Sequence, residues 1–149
     1  MKFEDKKEQK TMSTVQKSVR IPSVILNEIE RIALKSGRAF SFVINDLLEE
    51  AIKIRRCPGI TFADGVNGRR ARIAGTGIEV WEIIMSYESL NSDLARLKKA
   101  YHWLTEQQIM AAIGYYRTYP DEIKAQIEKN ALFTKERIAQ SYPYLGSIT

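Results

Sequence analysis

Cysteine and histidine are nearly absent from this sequence. Its 149 residues include one cysteine, Cys57, and one histidine, His102. A single cysteine excludes an intrachain disulfide, which fits a reducing compartment and leads us to expect a cytoplasmic protein. A single histidine excludes a two-histidine metal site, and we expect neither a metal nor a cofactor.

Long apolar runs are also missing. No stretch approaches the roughly 20 apolar residues that a transmembrane helix needs. Residues 1–10 mix lysine with Glu4, Asp5 and Glu8, so they do not resemble a secretory signal. We predict that residues 1–13 form a disordered arm, because this segment is too charged to pack.

A recognisable catalytic set is the third absence. Cys57 has no histidine near it in the sequence, so a cysteine–histidine nucleophile pair is not expected. The carboxylates lack the helical spacing that would pair an acid with a base: Glu79, Glu82 and Asp93. We interpret His102, beside Trp103, as a half-buried packing residue. The sequence does not predict an enzyme.

Positive charge is concentrated in the first part of the chain. Residues 1–56 hold 12 Lys or Arg against 8 Asp or Glu, a net charge of +4, whereas residues 57–149 hold 11 against 10. A basic N-terminal part favours a polyanionic partner. The alternative interpretation is a solvated surface, which net charge does not exclude.

Two patterns follow one another in residues 14–56. Polar and apolar residues nearly alternate from Val15 to Ile21, which predicts a half-buried strand that ends at Pro22. The spacing then becomes helical, and Gly37 separates two predicted helices as a C-terminal cap. Ser41 is predicted to cap the second helix. The two apolar stripes are Ile25, Leu26, Ile29, Ile32 and Ala33, then Val43, Ile44, Leu47, Leu48, Ala51 and Ile52.

A lone strand would leave its hydrogen-bonding edge unpaired. The simplest solution is a second copy of the chain, whose strand pairs antiparallel with the first while four helices pack beneath. The sequence therefore predicts an intertwined homodimer.

Residues 14–56 resemble the ribbon-helix-helix family of DNA-binding repressors (Arc, CopG and MetJ type). The segment from Gln16 to Pro22 is similar to the Arc strand, in which polar residues alternate before a proline. The resemblance implies that Gln16, Ser18 and Arg20 read base edges in the major groove, and glutamine and arginine suit adenine and guanine. The module could instead serve only for dimerisation.

Phosphate contacts are implied beside these base contacts. The N-terminus of the second helix, near Ser41 and Phe42, would hold a phosphate through backbone N–H groups. Lys17 occupies a position where the core face would carry an apolar residue. It either reaches outward to a phosphate or marks a frayed strand position.

Glycine and proline mark the start of the second half. Pro58 and five of the eight glycines lie between residues 57 and 77, which predicts a linker that runs into turns. Residues 70–73 are predicted to form a short strand within a β-hairpin. Gly75-Thr76-Gly77 lacks the spacing of a phosphate-binding loop, so we interpret it as a structural turn.

Helical patterns fill the chain from residue 78 to residue 130. Thr105 and Gln108 have the spacing of a capping box, and Pro120 is predicted to open the last helix. The two helices around residues 101–105 are interpreted as helix-turn-helix-like, with Gln107 and Gln108 towards DNA. A packed helical bundle is the alternative.

Residues 57–118 resemble a second family, the domain of unknown function four-three-three, found in antitoxins. The matching positions are Pro58, Ile60, Gly68, Ile73, Gly75, Thr76, Ile78, Val80, Tyr101, Leu104, Thr105, Ile109, Ala112, Tyr115 and Tyr116. Gly77 stands where that family usually has arginine. The resemblance implies a VapB-type antitoxin that binds and blocks a PIN-like ribonuclease toxin.

The last segment, residues 131–149, contains apolar-bodied groups beside Pro143. These are Tyr142, Tyr144 and Leu145. Aromatic anchors favour interfaces, so the segment is a candidate partner-binding element. It could equally pack on its own domain or within the dimer.

Together these patterns predict a mainly α protein. An N-terminal ribbon-helix-helix domain (14–56) would precede a helical, helix-turn-helix-like domain with a short β-hairpin (57–130) and the C-terminal segment (131–149). The expected function is the antitoxin of a type II toxin–antitoxin system, which represses its own operon by binding operator DNA. The alternative is a stand-alone ribbon-helix-helix transcriptional regulator whose second domain senses a signal or oligomerises.

Overall fold

A computed structural model of the chain describes residues 13–144. This part of the chain is mainly helical, with six helices and one two-stranded hairpin. In chain order the elements are α1 (Ser23–Ser36), α2 (Phe40–Arg56), β1 (Ile60–Gly65), β2 (Gly68–Ile73), α3 (Val80–Ser89), α4 (Leu94–Ala100), α5 (Glu106–Thr118) and α6 (Pro120–Ser141). None of these helices combines the length and apolar character needed to cross a membrane. All but Ser13 of the predicted disordered arm, residues 1–13, lies outside the described residues.

The predicted strand-first arrangement is wrong. Residues 13–22 have neither strand nor helix, and the first regular element is α1. Val15 and Val19 are 81% and 76% exposed, so the alternating pattern does not produce a half-buried strand. The physical reason is that a strand needs a hydrogen-bonding partner, and in the described residues the only paired strands are β1 and β2. The ribbon-helix-helix fold class is therefore withdrawn.

The first compact unit, Met1–Asp46, contains α1 and the start of α2. Gly37 ends α1 with a left-handed backbone conformation, φ 66°. Backbone N–H groups at this cap donate to the carbonyls of Ala33 and Leu34. The predicted C-terminal cap is confirmed, and glycine suits it because other residues rarely adopt this conformation. The prediction that Ser41 caps α2 is wrong, since α2 already begins at Phe40.

The second unit, Leu47–Thr149, is built around the hairpin and helices α3 to α6. β1 and β2 pair antiparallel from Ile60 opposite Ile73 to Gly65 opposite Gly68. Gly59 precedes β1 with φ 86°, and a Cβ built there would lie 3.0 Å from the Ala111 Cβ of α5. Both its backbone conformation and its packing against α5 therefore require glycine.

One apolar core fills this second unit. Its largest fully buried side chains come from β2 and from α3 to α6: Ile73, Val80, Ile83, Ile84, Leu97, Ile109, Tyr115 and Ile123. The Phe62 ring of β1 meets the Tyr115 ring edge-on, with centroids 6.2 Å apart. The hairpin and the helices thus share one core, which fixes the positions of the polar groups around it.

Local hydrogen bonds set the ends of the core helices as the sequence predicts. The Thr105 hydroxyl accepts from the Gln108 N–H at 3.1 Å, and the Gln108 side chain accepts from the Thr105 N–H at 2.9 Å. The predicted capping box is confirmed, and Pro120 opens α6 as expected. At residues 74–77 the Thr76 hydroxyl donates to the Ile73 carbonyl at 2.9 Å, which confirms a structural turn.

Candidate functional site

The predicted base-reading residues lie on an extended, open segment before α1. Gln16, Ser18 and Arg20 are all exposed, as is Lys17 between them. Their polar groups are accessible to a partner, and Gln and Arg can each make two hydrogen bonds to a base edge. The structure brings these four residues together only as neighbours along the chain.

The predicted phosphate contacts at Ser41 and Phe42 fall in the first turn of α2. Both residues are exposed, and the Phe42 ring is 62% accessible. The Phe42 N–H donates to the carbonyl of Ala39, the residue before α2, at 3.1 Å, so this backbone group already has an acceptor. Two arginines and a lysine close the last turn of α2: Lys53, Arg55 and Arg56.

Large apolar side chains of the first unit are exposed rather than packed. On α1, Val24 is 74% and Leu34 86% accessible, and Ile25 and Ile32 are also open. Among described residues 13–46, only Ile29 and Val43 are buried. Isolated apolar surface residues are ordinary, but so many in so short a segment form an extended apolar surface.

Two arginines on β2 share one carboxylate. Arg70 is only 6% exposed, and its Nη1 lies 3.8 Å from Glu79 Oε2. Arg72 Nη2 lies 3.8 Å from Glu79 Oε1, while the Trp81 indole donates a hydrogen bond to the same carboxylate. Arg72 Nε is buried without a hydrogen-bond partner among the described residues. The one negative charge of Glu79 therefore faces the two positive charges of the β2 arginines and leaves one of them unbalanced.

Sequence reasoning missed this arginine pair. The sequence predicts only a structural strand at residues 70–73, whereas in the structure Arg70 and Ala71 are both buried and Arg72 is half-buried. Arginine at successive same-face positions of a core strand was the available signal, because a buried charge needs a partner or a ligand.

A cleft opens beside Arg70, between the hairpin turn and α6. Its volume is about 260 Å³, and it is lined by Asn67, Arg70, Lys129, Asn130, Leu132, Phe133 and Glu136. Asn67 belongs to the turn between β1 and β2, and the other residues except Arg70 follow the distal half of α6. The cleft combines cationic and apolar walls.

A second cleft continues along α6. Its volume is about 370 Å³, and it is lined by Asn130, Phe133, Thr134, Arg137, Ile138, Ser141 and Tyr142. The two clefts share Asn130 and Phe133. Of the predicted partner-binding residues, Tyr142 lies here, and its ring meets Tyr144 edge-on at 6.1 Å. Leu145 lies outside the described residues.

A polar network joins α2 to α5 and α6. Lys53 Nζ donates to Glu122 Oε1 at 2.8 Å and lies 3.0 Å from Glu49 Oε1. Tyr115 also donates to the Glu122 carboxylate. Burial lowers the pKa of Lys53, but its hydrogen bonds to the two carboxylates outweigh this and raise the pKa above 10.5. Burial is the larger cause that raises the pKa of Tyr115 well above its usual range, and the hydrogen bond to the Glu122 carboxylate is the second.

The predicted helix-turn-helix contacts are only partly available. Gln107 is exposed on α5, but the Gln108 side chain is held in the capping box. His102 is exposed and Trp103 is 61% exposed, so the prediction of a half-buried histidine is wrong. The rings of His102 and Trp103 stand edge-to-face, 5.2 Å apart. This pair is a surface feature and not part of the core.

Comparison with known proteins finds a family match over part of the chain. Residues 60–116 match the family described as "Protein of unknown function (DUF433)", the family that the sequence resembles over residues 57–118. The match covers less than half of the chain, from the start of β1 into α5, and it does not include residues 14–56. The family description assigns no activity. Neither curated proteins nor solved structures gave a match to the chain.

Proposed function

We propose that this chain is the antitoxin of a type II toxin–antitoxin system. It would act as a homodimer that binds and neutralises a PIN-like ribonuclease and represses its own operon by binding operator DNA. The observation that carries this proposal is the open apolar surface of the first unit, where only Ile29 and Val43 are buried among described residues 13–46. A segment with so small a core depends on other chains to fold stably.

The second copy would cover this apolar surface. Val24, Ile25 and Ile32 of α1 are the side chains that dimerisation would bury. Complete burial of a large apolar side chain contributes roughly 1.5–3 kcal/mol, so burying several of these partly exposed side chains from each copy favours a dimer. Analytical ultracentrifugation tests this step, and a stable, folded monomer at micromolar concentration would contradict it.

Exposed polar groups and positive charge support the DNA contact. Gln16, Ser18 and Arg20 stand on an accessible segment, in the part of the chain that carries most of its net positive charge. A dimer presents two such segments, which matches the two-fold symmetry of many operators. Lys17 would add a phosphate contact that depends on salt concentration.

The toxin is proposed because the resemblance of residues 57–118 to the family of unknown function implies an antitoxin. The surfaces for it are the exposed residues near the C-terminus, among them Tyr142 and Tyr144, which are 49% and 67% accessible. Tyrosines of this kind anchor many protein interfaces.

Electrophoretic mobility shift with DNA from upstream of the chain's own gene tests repression. Arg20→Ala should weaken binding about 10-fold or more, since a bidentate arginine–guanine contact contributes roughly 1–3 kcal/mol. Arg31→Ala is the matched control, because Arg31 is an exposed α1 arginine paired with Glu28 at 2.7 Å. Equal affinity of both variants for the promoter would rule out the base-reading role of Arg20.

Co-expression with the protein encoded by the adjacent gene tests neutralisation. We expect a complex that survives size-exclusion chromatography and suppresses the ribonuclease activity of that protein. If the chain instead shifts promoter DNA but binds no such protein, it is a stand-alone transcriptional regulator and not an antitoxin.

A further inference from the structure

We infer that the two adjoining clefts along the distal half of α6 bind an acidic, apolar-flanked segment of a partner protein, whose carboxylate faces Arg70 and Lys129. We call the residues that line these two clefts, which include Asn67 and Arg70 of the hairpin, the α6 surface. The inference rests on the proposed partner binding and states where on the chain, and by what chemistry, the partner is held.

Arg70 is the first reason. Its side chain is more than nine-tenths buried yet lines the first cleft. Within the described residues its only charged partner is Glu79, at 3.8 Å, which is too long for a hydrogen bond. A guanidinium in this state retains unused donors that a carboxylate accepts in a planar, two-bond geometry.

Local charge points to the same ligand. The Glu79 carboxylate is shared by Arg70 and Arg72, and each guanidinium nitrogen lies 3.8 Å from one of its oxygens. Lys129 adds a positive charge at the cleft and Glu136 a negative one, so this set of five groups carries a net charge of +1. In the second cleft Arg137 is the charged lining residue. The α6 surface therefore has a net positive charge, which favours a ligand that carries a negative charge.

The distal half of α6 carries large apolar side chains that are exposed. Beyond Ile127 every residue of this helix is exposed except Asn130, although the stretch includes Phe133 at 57% and Ile138 at 49%. A projecting helical segment of this length is marginally stable without packing. A helix that keeps large apolar side chains on such a segment is suited to lie against a partner.

A protein fits these observations better than a nucleic acid does. Apolar side chains occupy much of both clefts, among them Leu132, Phe133 and Ile138. Glu136 at the first cleft would repel a run of phosphates, whereas one carboxylate set among apolar groups can avoid it. The occupant is therefore a segment with a single Asp or Glu between apolar residues.

Charge-reversal variants of the full-length chain test the surface, with the purified product of the adjacent gene as the binding probe. Lys129→Glu and Arg137→Glu should each weaken binding about 10-fold or more, as loss of a central contact typically does. Lys135→Glu is the matched control, because Lys135 is an exposed α6 lysine outside both clefts. Circular dichroism should show the same helix content in all three variants.

Zero-length carbodiimide cross-linking tests the carboxylate directly. Mass spectrometry of the complex should find Lys129 joined to an Asp or Glu of the probe protein, and Lys135 not joined. Phe133→Ala should weaken binding, whereas Met110→Ala, a change at an exposed apolar residue of α5, should not.

The outcomes separate this inference from the proposed function. If the probe protein binds the wild type and the Lys129→Glu and Arg137→Glu variants equally, the α6 surface is wrong and the antitoxin proposal stands. If the probe protein does not bind the wild type at all, both are overturned. If Lys129→Glu lowers promoter affinity as much as Arg20→Ala does, the surface binds nucleic acid and the inference is also wrong.

Discussion

Replacing Lys53 by methionine should destabilise the second unit substantially. The ammonium group lies 2.8 Å from Glu122 Oε1 and 5.1 Å from the centre of the Tyr119 ring. Methionine keeps most of the side-chain volume and removes the charge. The change would leave the Glu122 carboxylate, 29% exposed, with the Tyr115 hydroxyl as its remaining partner on the core side.

The expected loss in free energy of unfolding lies between two known limits. Exposed ion pairs contribute about 0.2–1 kcal/mol, whereas removing one partner of a fully buried pair costs about 3–5 kcal/mol. Lys53 is 12% exposed and Glu122 29%, so the pair is mostly but not fully desolvated. We expect a loss of about 2 kcal/mol, of which about 0.5–1 kcal/mol reflects the cation–π contact.

Thermal unfolding followed by circular dichroism measures this loss. For a unit of about 100 residues, 2 kcal/mol corresponds to a fall in Tm of roughly 8–16 °C. The control is Lys98→Met, which breaks the 2.7 Å ion pair with Glu106 where the side chains are 36% and 67% exposed. That variant should lose less than about 1 kcal/mol.

Equal losses in the two variants would refute the reasoning. Burial should make the Lys53 pair stronger than the exposed Lys98 pair, although the exposed pair has the shorter N···O distance. If Lys53→Met were no worse than Lys98→Met, the network between α2 and α6 would carry no special weight in the second unit.

Three further changes have expected outcomes. Burial raises the pKa of Tyr115 above its ordinary value of 10.0. The neutral phenol therefore stabilises the fold below pH 10, and that contribution is lost as the pH rises further. The free energy of unfolding should fall less steeply above pH 10 in Tyr115→Phe than in the wild type. Gly59→Ala should cost roughly 1–3 kcal/mol in urea unfolding, through its positive φ and its 3.0 Å contact, whereas Gly77→Ala, which meets nothing within 4 Å, should change stability by less than about 1 kcal/mol. Thr105→Ala should cost about 1 kcal/mol because it removes a cap; Thr134→Ala, whose hydroxyl donates to its own helix at 2.9 Å, should not destabilise the chain.

Features set by neighbouring residues were predictable from the sequence. The capping box of Thr105 and Gln108, the start of α6 at Pro120 and the turn at Gly75 all depend on interactions within a few residues. Each was predicted from residue type and local spacing, because these determine the local backbone geometry.

Features that depend on distant partners were not predictable in the same way. The alternating residues from Val15 to Ile21 have the period of a strand, but the period does not supply the partner that a strand needs. The Lys53–Glu122 ion pair joins residues 69 positions apart, and nothing in either local sequence indicates it. Arg70 is an exception, since a charged residue on a buried strand implies a compensating group that lies nearby in the fold.

The boundaries of the family match do not coincide with those of the structural unit. Residues 60–116 include the hairpin, α3, α4 and most of α5, yet Ile123 of α6 is fully buried in the same core. Lys53 and Glu122 both lie outside the match, but together they close the polar network around Tyr115, which lies inside it. The matched segment therefore cannot bury its core or pair its polar groups alone. The flanking helices α2 and α6 complete the fold, and α6 also carries the surface that we assign to the partner.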